Sequence, residues 1–168
     1  MNDKEKSFLS ILESHKRIIY KVANTYCFDK SDCDDLIQEI ILQVWKTFEN
    51  FNSKFKWSTW IYRIAINTSI SFYRKNKTRK ENTVRLNPIL ELPNNHDEIS
   101  LEDNNFSLLK RFIRELKEID RALILLHLEG LNSKEIANVI DTTQTNVTTK
   151  ISRIKKKLKL RFDNHNKK

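Results

Sequence analysis

The hydrophobic positions of residues 32–49 recur with the period of an α-helix. At about 100° per residue, six apolar side chains form one continuous arc: Leu36, Ile37, Ile40, Ile41, Val44 and Phe48. Just before this arc, Ser31 and Asp34 resemble a capping box, in which two side chains accept the first backbone N–H groups. The pattern predicts an amphipathic helix from Asp32 to about Glu49.

Comparable signals predict further helices along the rest of the chain, at residues 7–26, 58–77, 116–129 and 132–140 and from Thr143 onwards. The 168 residues include one glycine and two prolines. This argues against sheets, because tight turns need such residues. The predicted fold is therefore all-α. A hydrophobic content of 39% is low for one compact globule and favours two modest cores.

Charge divides the chain into segments. Residues 72–85 carry six basic side chains and one acid, whereas residues 86–105 carry five acids, both prolines and no Lys or Arg. Residues 150–168 carry nine basic side chains and one acid. These shifts predict two small helical domains, at 1–80 and 107–168, joined by a flexible acidic linker at 81–106.

The overall composition narrows the possible functions. A formal net charge of +9 favours nucleic acid or an anionic membrane as partner. The longest apolar runs have five residues, and a membrane-spanning helix needs about 20, so we expect a cytoplasmic protein. Cys27 and Cys33 are six residues apart with no histidine cluster nearby, which predicts reduced structural thiols, no metal and no cofactor.

The segment 129–158 has the pattern of a helix-turn-helix. Gly130 can adopt the left-handed conformation that ends a helix, and Asn132 with Glu135 fits a capping box for the next one. Thr143 can cap a final helix whose apolar positions are Val147, Ile151, Ile154 and Leu158. The second helix of such a motif enters the major groove of DNA.

The outward positions of the final helix carry amides, hydroxyls and cations, which are the groups that bind base edges and phosphates. These predicted DNA-binding residues are Thr143, Gln144, Thr145, Asn146, Thr149, Lys150, Arg153 and Lys156. A short helical pair with a basic last helix is also compatible with binding protein or RNA.

Residues 57–75 combine five aromatic side chains with three basic ones. On a helical projection most of them face a core, but Arg63, Asn67, Ser71 and Arg74 form a narrow polar stripe with Trp60 at its border. We expect the tyrosines and Phe72 to be packing residues. Trp57 precedes the predicted helix and has two open roles, covering the core or shaping a binding pocket.

The side of helix 32–49 opposite its apolar arc is acidic, yet it includes Leu42. An exposed leucine framed by Asp35, Gln38 and Glu39, with Trp45 at the margin, indicates a docking surface. The simpler alternative is that acids near a helix N-terminus stabilise the helix dipole, and that lone exposed leucines are common.

The sequence supports two other functions less well. A nuclease would need convergent carboxylates around a metal, but Asp34 projects away from Asp32, Asp35 and Glu39, and the four histidines are scattered. No catalytic residue and no enzyme activity are therefore predicted. A dimeric repressor or activator that binds DNA by itself remains open, although it leaves the acidic surface around Leu42 unexplained.

The two blocks of motifs resemble an extracytoplasmic-function (ECF) sigma factor of bacterial RNA polymerase. DCDDLIQEIILQVW at 32–45, FENF at 48–51 and WSTWIYRIAIN at 57–67 are similar to region two. LEGLNSKEIANVI at 128–140 and NVTTKISRIKKKLK at 146–159 are similar to region four. In the turn, Asp141 stands where the family usually has glycine, and aspartate tolerates the left-handed backbone.

This resemblance implies partners and site residues. The implied partners are promoter DNA, core RNA polymerase through its β′ clamp and β flap, and an anti-sigma factor. The implied polymerase-binding residues are Asp35, Gln38, Glu39, Leu42 and Trp45, and those for the −10 element are Trp57, Trp60, Arg63, Asn67, Arg74 and Lys75. Helix 143–157 would bind the −35 element, and the chain would open the −10 region to start transcription.

Overall fold

A computed structural model describes the backbone over residues 2–86 and 101–165, and the side chains over 2–79 and 105–165. Within these ranges the chain is helical and forms no strand. The elements are α1 (Asp3–Tyr26), α2 (Lys30–Thr47), a 3-10 turn (Phe48–Asn50), α3 (Trp57–Leu86), α4 (Leu101–Arg114), α5 (Glu118–Leu128), α6 (Ser133–Ile140) and α7 (Gln144–His165). The all-α prediction is confirmed.

Two predicted helix starts are wrong. Helix α1 begins at Asp3 rather than Ser7, because Asn2 and Glu5 form a capping box with N–H···O distances of 2.8 and 2.9 Å. Helix α2 begins at Lys30, where the carboxylate of Asp29, not Ser31, accepts the N–H of Asp32 at 2.7 Å. In both places the first turn is polar and lacks the apolar period that the prediction relied on.

Helices extend into both ends of the predicted linker, residues 81–106. Helix α3 continues through the basic segment to Leu86, nine residues past the predicted end at Lys77, because Lys, Arg and Glu are good helix formers. Helix α4 begins at Leu101, inside the acidic segment that was read as linker. Residues 87–100, which include both prolines, lie outside the described residues.

Helices α1, α2 and α3 pack into an N-terminal unit. Its largest fully buried side chains include Ile19 from α1, Leu36 and Ile40 from α2, and Ile61 from α3. Val44 is also buried, and the other members of the predicted α2 arc are partly buried against the same core. The predicted inner surface of α2 is therefore confirmed, and the acidic side faces solvent.

Helices α4 to α7 form the C-terminal unit. Helix α5 ends at Leu128 and is followed, after Glu129, by the one glycine of the chain, Gly130 (φ 83°); Leu131 N–H donates to the carbonyl of Leu126 at 3.1 Å. The Asn132–Glu135 capping box that starts α6 is present. Asp141 ends α6 in the left-handed conformation (φ 60°), as its place in the turn predicted.

The buried residues of the two units form one contiguous cluster, not two separate cores as the composition favoured. Arg121 of α5 lies at the junction and is only 3% exposed. Its guanidinium donates to the hydroxyl of Tyr73 at 3.1 Å and lies 4.5 Å from the centre of that ring. Tyr26 donates its hydroxyl to the carbonyl of Glu118 at 2.7 Å. The N-terminal and C-terminal units are thus packed against each other.

Candidate DNA-binding and polymerase-binding surfaces

Helix α7 presents one apolar and one polar side, as predicted. Val147, Ile151, Ile154 and Leu158 are all buried against the C-terminal unit. The Thr143 hydroxyl accepts the N–H of Asn146 at 3.2 Å and so caps the helix, as predicted. Of the eight residues predicted to bind DNA, seven are exposed and Lys150 is half-buried.

The polar side chains of α7 differ in how free they are to contact DNA. The amide of Asn146 donates to the Thr142 hydroxyl at 2.8 Å, which holds it against the turn. The side chains of Arg153 and Lys156 form no ion pair within the described part of the chain and project to solvent. A cationic and amide-bearing surface of this kind can contact both phosphates and base edges.

The predicted polar stripe of α3 is divided among three places. Arg63 pairs with Asp141 of the C-terminal unit at 3.2 Å, and Arg74 lies 3.7 Å from the carboxylate of Glu118. Asn67 and Ser71 instead line a groove of about 660 Å³ between α3 and α2, together with Lys75 from outside the stripe. The structure therefore does not bring all four of these side chains into one site.

Four aromatic rings cluster where α2 leads into α3. The rings of Phe51 and Trp57 are stacked with centroids 3.5 Å apart, and Phe48 lies 5.4 Å from Trp57 on a nearly parallel plane. Trp60 meets Phe51 edge-on at 5.5 Å. Trp57 is the first residue of α3 and does not precede it, so the expectation of a tryptophan before the helix is wrong. Its ring is part of the packed cluster.

A smaller cavity of about 250 Å³ lies beside this aromatic cluster. Its walls include Asn52, Phe55, Trp60 and Arg63 from the N-terminal unit, together with Asn138 of α6. The sequence indicated a binding pocket here only through Trp57, and it did not indicate Asn138. No local signal connects Asn138 to the loop before α3, since the two are far apart in the chain.

The acidic side of α2 is accessible around Leu42, which is 43% exposed. Asp35 and Gln38 are exposed as well, and Glu39 accepts a hydrogen bond from Gln43 at 2.7 Å. Trp45 differs from these neighbours, because it is half-buried and packs edge-on against Phe8 at 4.8 Å. Asp35 and Glu39 also line the groove that holds Asn67 and Lys75.

A wider groove of about 830 Å³ runs along the junction of the two units. Several of the apolar side chains lining it are unusually exposed for their size, namely Tyr20, Phe28, Phe106 and Leu128. Cys27 and Cys33 also contribute to its wall as free thiols. Burial raises the pKa of both, which keeps them in the neutral thiol form.

The described residues contain no group of three or more His, Cys, Asp or Glu side chains arranged to hold a metal ion. Across the same residues, no helix has the length and apolar character needed to cross a membrane.

The fold and these surfaces together define a class of protein. A helix-turn-helix with an exposed polar second helix indicates duplex DNA binding. A second helical unit adds aromatic and cationic groups of the kind that contact unstacked bases, and a separate acidic surface bears an exposed leucine. The part of the chain that the structure describes is therefore that of a two-unit, helical DNA-binding protein, with Leu42 exposed on an acidic side of α2.

Comparison with known proteins identifies the family. The family models "Sigma-70 region 2" and "Sigma-70, region 4" match residues 11–79 and 106–158. The chain is 31% identical over 137 residues to the RNA polymerase sigma factor SigZ of Bacillus subtilis, which covers 78% of this chain and 73% of SigZ. It is 24% identical over 162 residues to the ECF RNA polymerase sigma-E factor of Haemophilus influenzae, covering 89% and 84% of the two chains. The chain belongs to the ECF sigma factors of the sigma-70 family.

Two solved structures share the fold. One is CnrH in complex with the cytosolic domain of CnrY, with a TM-score of 0.68 and 18% identity over 95% of this chain and 89% of that one. The other is the sigma factor RpoE of Bartonella quintana in complex with the anti-sigma factor NepR, with a TM-score of 0.62 and 17% identity over 94% and 95%. The chain thus acts with core RNA polymerase in promoter recognition and transcription initiation, as the resemblance implied.

Proposed function

We propose that three surfaces of this sigma factor divide its work: the acidic side of α2 binds core polymerase, the α3 region binds the −10 element, and α7 binds the −35 element. The observation that carries this division is the exposure of Leu42 among acids on α2. Of these acids, Asp35 and Glu39 border the groove of Asn67 and Lys75, whereas Leu42 itself does not line it. A protein that acts on DNA alone has no use for such a surface.

The polymerase surface consists of Asp35, Gln38, Glu39 and Leu42, with Trp45 as its packed base. Trp45 is held by Phe8 and by Lys4, whose ammonium lies 4.8 Å from the centre of the indole ring. We assign Trp45 to the support of this surface more than to direct contact. The partner surface on the polymerase would be basic with an apolar pocket for Leu42, in keeping with the β′ clamp.

For the −10 element, we propose that the opened non-template strand lies across Trp60, Arg63, Asn67 and Lys75. A flipped base needs an enclosed site with aromatic and cationic walls, and the cavity beside Trp60 and Arg63 offers both. Trp57 supports this cavity by stacking on Phe51. Arg74 would reach the strand after its pairing with Glu118 is released.

Replacing Lys75 by alanine tests the −10 assignment. In the holoenzyme, we expect roughly three- to tenfold weaker binding of a single-stranded oligonucleotide that carries the −10 element, because an exposed cation–phosphate contact is lost. Lys6→Ala is the matched control, since Lys6 is an exposed lysine of the same unit that lines neither the groove nor the cavity beside Trp60. Fluorescence anisotropy measures both. Equal affinity of the two variants would remove Lys75 from the −10 surface.

For the −35 element, the exposed side of α7 would enter the major groove, with Gln144, Thr145, Thr149 and Arg153 nearest the base edges and Lys156 on the backbone. Lys150 is half-buried and would reach a phosphate at the edge of the contact. This assignment gives each unit its own element of the promoter.

An anti-sigma factor is the further partner we propose. Both solved relatives are named as complexes, one with the cytosolic domain of CnrY and one with the anti-sigma factor NepR. The junction groove, with its exposed Phe28, Phe106 and Leu128, would take an amphipathic helix of the inhibitor.

Adding such an inhibitor is expected to lower run-off transcription by the purified holoenzyme. The Phe28→Asp variant should restore transcription in the presence of the inhibitor.

The chain is proposed to work in the cytoplasm, where core polymerase is found, and to have no catalytic activity of its own.

A gel shift on duplex promoter DNA distinguishes the sigma-factor function from the alternative of a self-sufficient repressor. A sigma factor of this type should bind weakly alone and strongly with core polymerase, whereas a repressor should bind tightly without it.

A further inference from the structure

The two cysteines of the chain meet at the corner between α1 and α2, although they are six residues apart. Cys27 directly follows α1, and its N–H donates to the carbonyl of Ala23 at 3.0 Å. Cys33 lies in the first turn of α2, and its N–H donates to the carbonyl of Asp29 at 3.1 Å. The two thiols are hydrogen-bonded to each other, and the Cys27 thiol also donates to the carbonyl of Asp32 at 3.4 Å. The fold therefore holds two sulfur atoms side by side.

Both thiols can be reached from the junction groove of about 830 Å³, because Cys27 and Cys33 form part of its wall. Cys33 is half-buried, whereas Cys27 is only 4% exposed. A small molecule that enters the groove would therefore react with Cys33 first and then with the second sulfur in contact with it. The exposed rings of Phe28 and Phe106 line the same groove and offer apolar surface to an organic group.

The neutral state of the two thiols limits which ligands fit them. Burial raises the pKa of Cys27 and of Cys33, and the neighbouring thiol raises the pKa of Cys27 further. Oxidation to a disulfide proceeds through a thiolate, and a divalent metal ion must displace both thiol protons. A zinc ion would also need further protein ligands, and the described residues hold no group of three His, Cys, Asp or Glu side chains that could supply them. The pair suits a ligand that reacts with two neutral thiols and carries its remaining substituent itself.

Trivalent arsenic, which prefers soft sulfur ligands, has this chemistry. An arsenoxide, R–As=O, condenses with two thiols to give an arsenic atom bonded to R and to both sulfurs, together with one molecule of water. Two As–S bonds form, while two S–H bonds and the As=O bond break, and both thiol protons leave with the oxygen. Arsenic stays trivalent, so the step needs no oxidant or reductant and releases no net proton. Arsenous acid reacts in the same way and keeps one hydroxyl, with the loss of two molecules of water.

We propose that Cys27 and Cys33 form a binding site for trivalent arsenicals, entered through the junction groove. The arsenic would bind both sulfurs in a pyramidal arrangement, with its own third substituent in the groove. The ring closed in this way would tie the end of α1 to the first turn of α2. The site itself is independent of the promoter function. Its effect on the inhibitor rests on the proposed function, because an occupied groove leaves less room for the inhibitor helix.

Native mass spectrometry of the reduced full chain with phenylarsine oxide tests the site. We expect one adduct per chain, heavier than the free chain by the mass of the reagent less one water. Cys27→Ser and Cys33→Ser each leave one thiol. Each variant should bind at least about 100-fold more weakly, because only the wild type can form the second As–S bond within the same molecule. Circular dichroism confirms that the variants are folded, and Cys33→Ser decides the outcome alone if the change at the buried Cys27 prevents folding.

A denatured sample distinguishes a site built by the fold from two flexible thiols. In a denaturing concentration of guanidinium chloride, the wild type should bind phenylarsine oxide at least about tenfold more weakly, because the fold no longer holds the two sulfurs together. Sodium arsenite in a parallel titration defines the ligand. Binding of both reagents assigns the site to trivalent arsenic in general, and binding of phenylarsine oxide alone assigns it to organic arsenicals.

Three results would overturn the proposal. The first is that the folded wild type forms no adduct with phenylarsine oxide, and the second is that a folded serine variant binds it as tightly as the wild type does. The third is equal affinity of the folded and denatured wild type. These measurements involve neither DNA nor polymerase, so failure of the arsenical site is distinct from failure of the proposed function.

Discussion

Replacing Leu42 by arginine is expected to abolish binding to core polymerase while the fold stays intact. Leu42 is exposed on α2 and lies outside the hydrophobic core cluster, so the substitution costs little folding stability. In a complex with a basic partner surface, the new cation would lie beside like charge, and the apolar contact of Leu42 would be lost. Such a contact costs several kcal/mol, which corresponds to at least about 100-fold in affinity.

The chain offers a matched control for Leu42. Leu9 of α1 is 47% exposed, close to the 43% of Leu42, and belongs to the same unit. Leu9→Arg should bind core polymerase as the wild type does. Binding is measured by titration with labelled sigma factor, and circular dichroism confirms the helical content of both variants. Retained binding by Leu42→Arg would remove the polymerase-binding assignment from this side of α2.

Replacing Arg153 by alanine is expected to weaken −35 recognition about ten- to 100-fold without changing association with core polymerase. Arg153 is exposed on the polar side of α7, and the loss of a bidentate contact to a base costs roughly 1–3 kcal/mol. The variant should lose its preference at one base position of the −35 element. Its binding to all other sequences should not weaken equally. Quantitative gel shifts of the holoenzyme on promoter variants measure it.

Lys155→Ala is the control for Arg153. Lys155 is an exposed cation on the same helix, but it lies two residues, or about 200°, away from Arg153 around the axis. It should cause a small loss that is the same for every promoter sequence. If both variants show that uniform loss, Arg153 contacts phosphate only and does not read the −35 element.

Much of the fold could be predicted because its signals are local. The apolar arc of α2, the capping box at Asn132 and the glycine at 130 each depend on residues within a few positions of one another. The exposure of Leu42 was also predicted from the helical projection alone. Caps in polar stretches were missed, as at Asp29, because several neighbouring polar residues could fill that role.

The junction between the units could not be predicted from the sequence. Arg63 and Asp141 are 78 residues apart, and nothing in either local pattern indicates the other. Arg121 fits a solvent-exposed position by composition, yet it is buried among aromatic rings from the other unit. These contacts depend on the packing of whole helices from the two units against each other, and no local sequence pattern indicates that packing. For the same reason the polar stripe of α3 was predicted as one surface, while the structure divides it.

Run-off transcription with purified core polymerase on genomic DNA tests the central claim most directly, namely that this chain directs polymerase to promoters. Core polymerase with the chain should yield a small set of transcripts with defined start sites, which share −10 and −35 elements upstream. The Leu42→Arg variant should yield none of them, and Leu9→Arg should yield all of them. An absence of specific transcripts with the wild-type chain, under conditions where it binds core polymerase, would contradict the assignment.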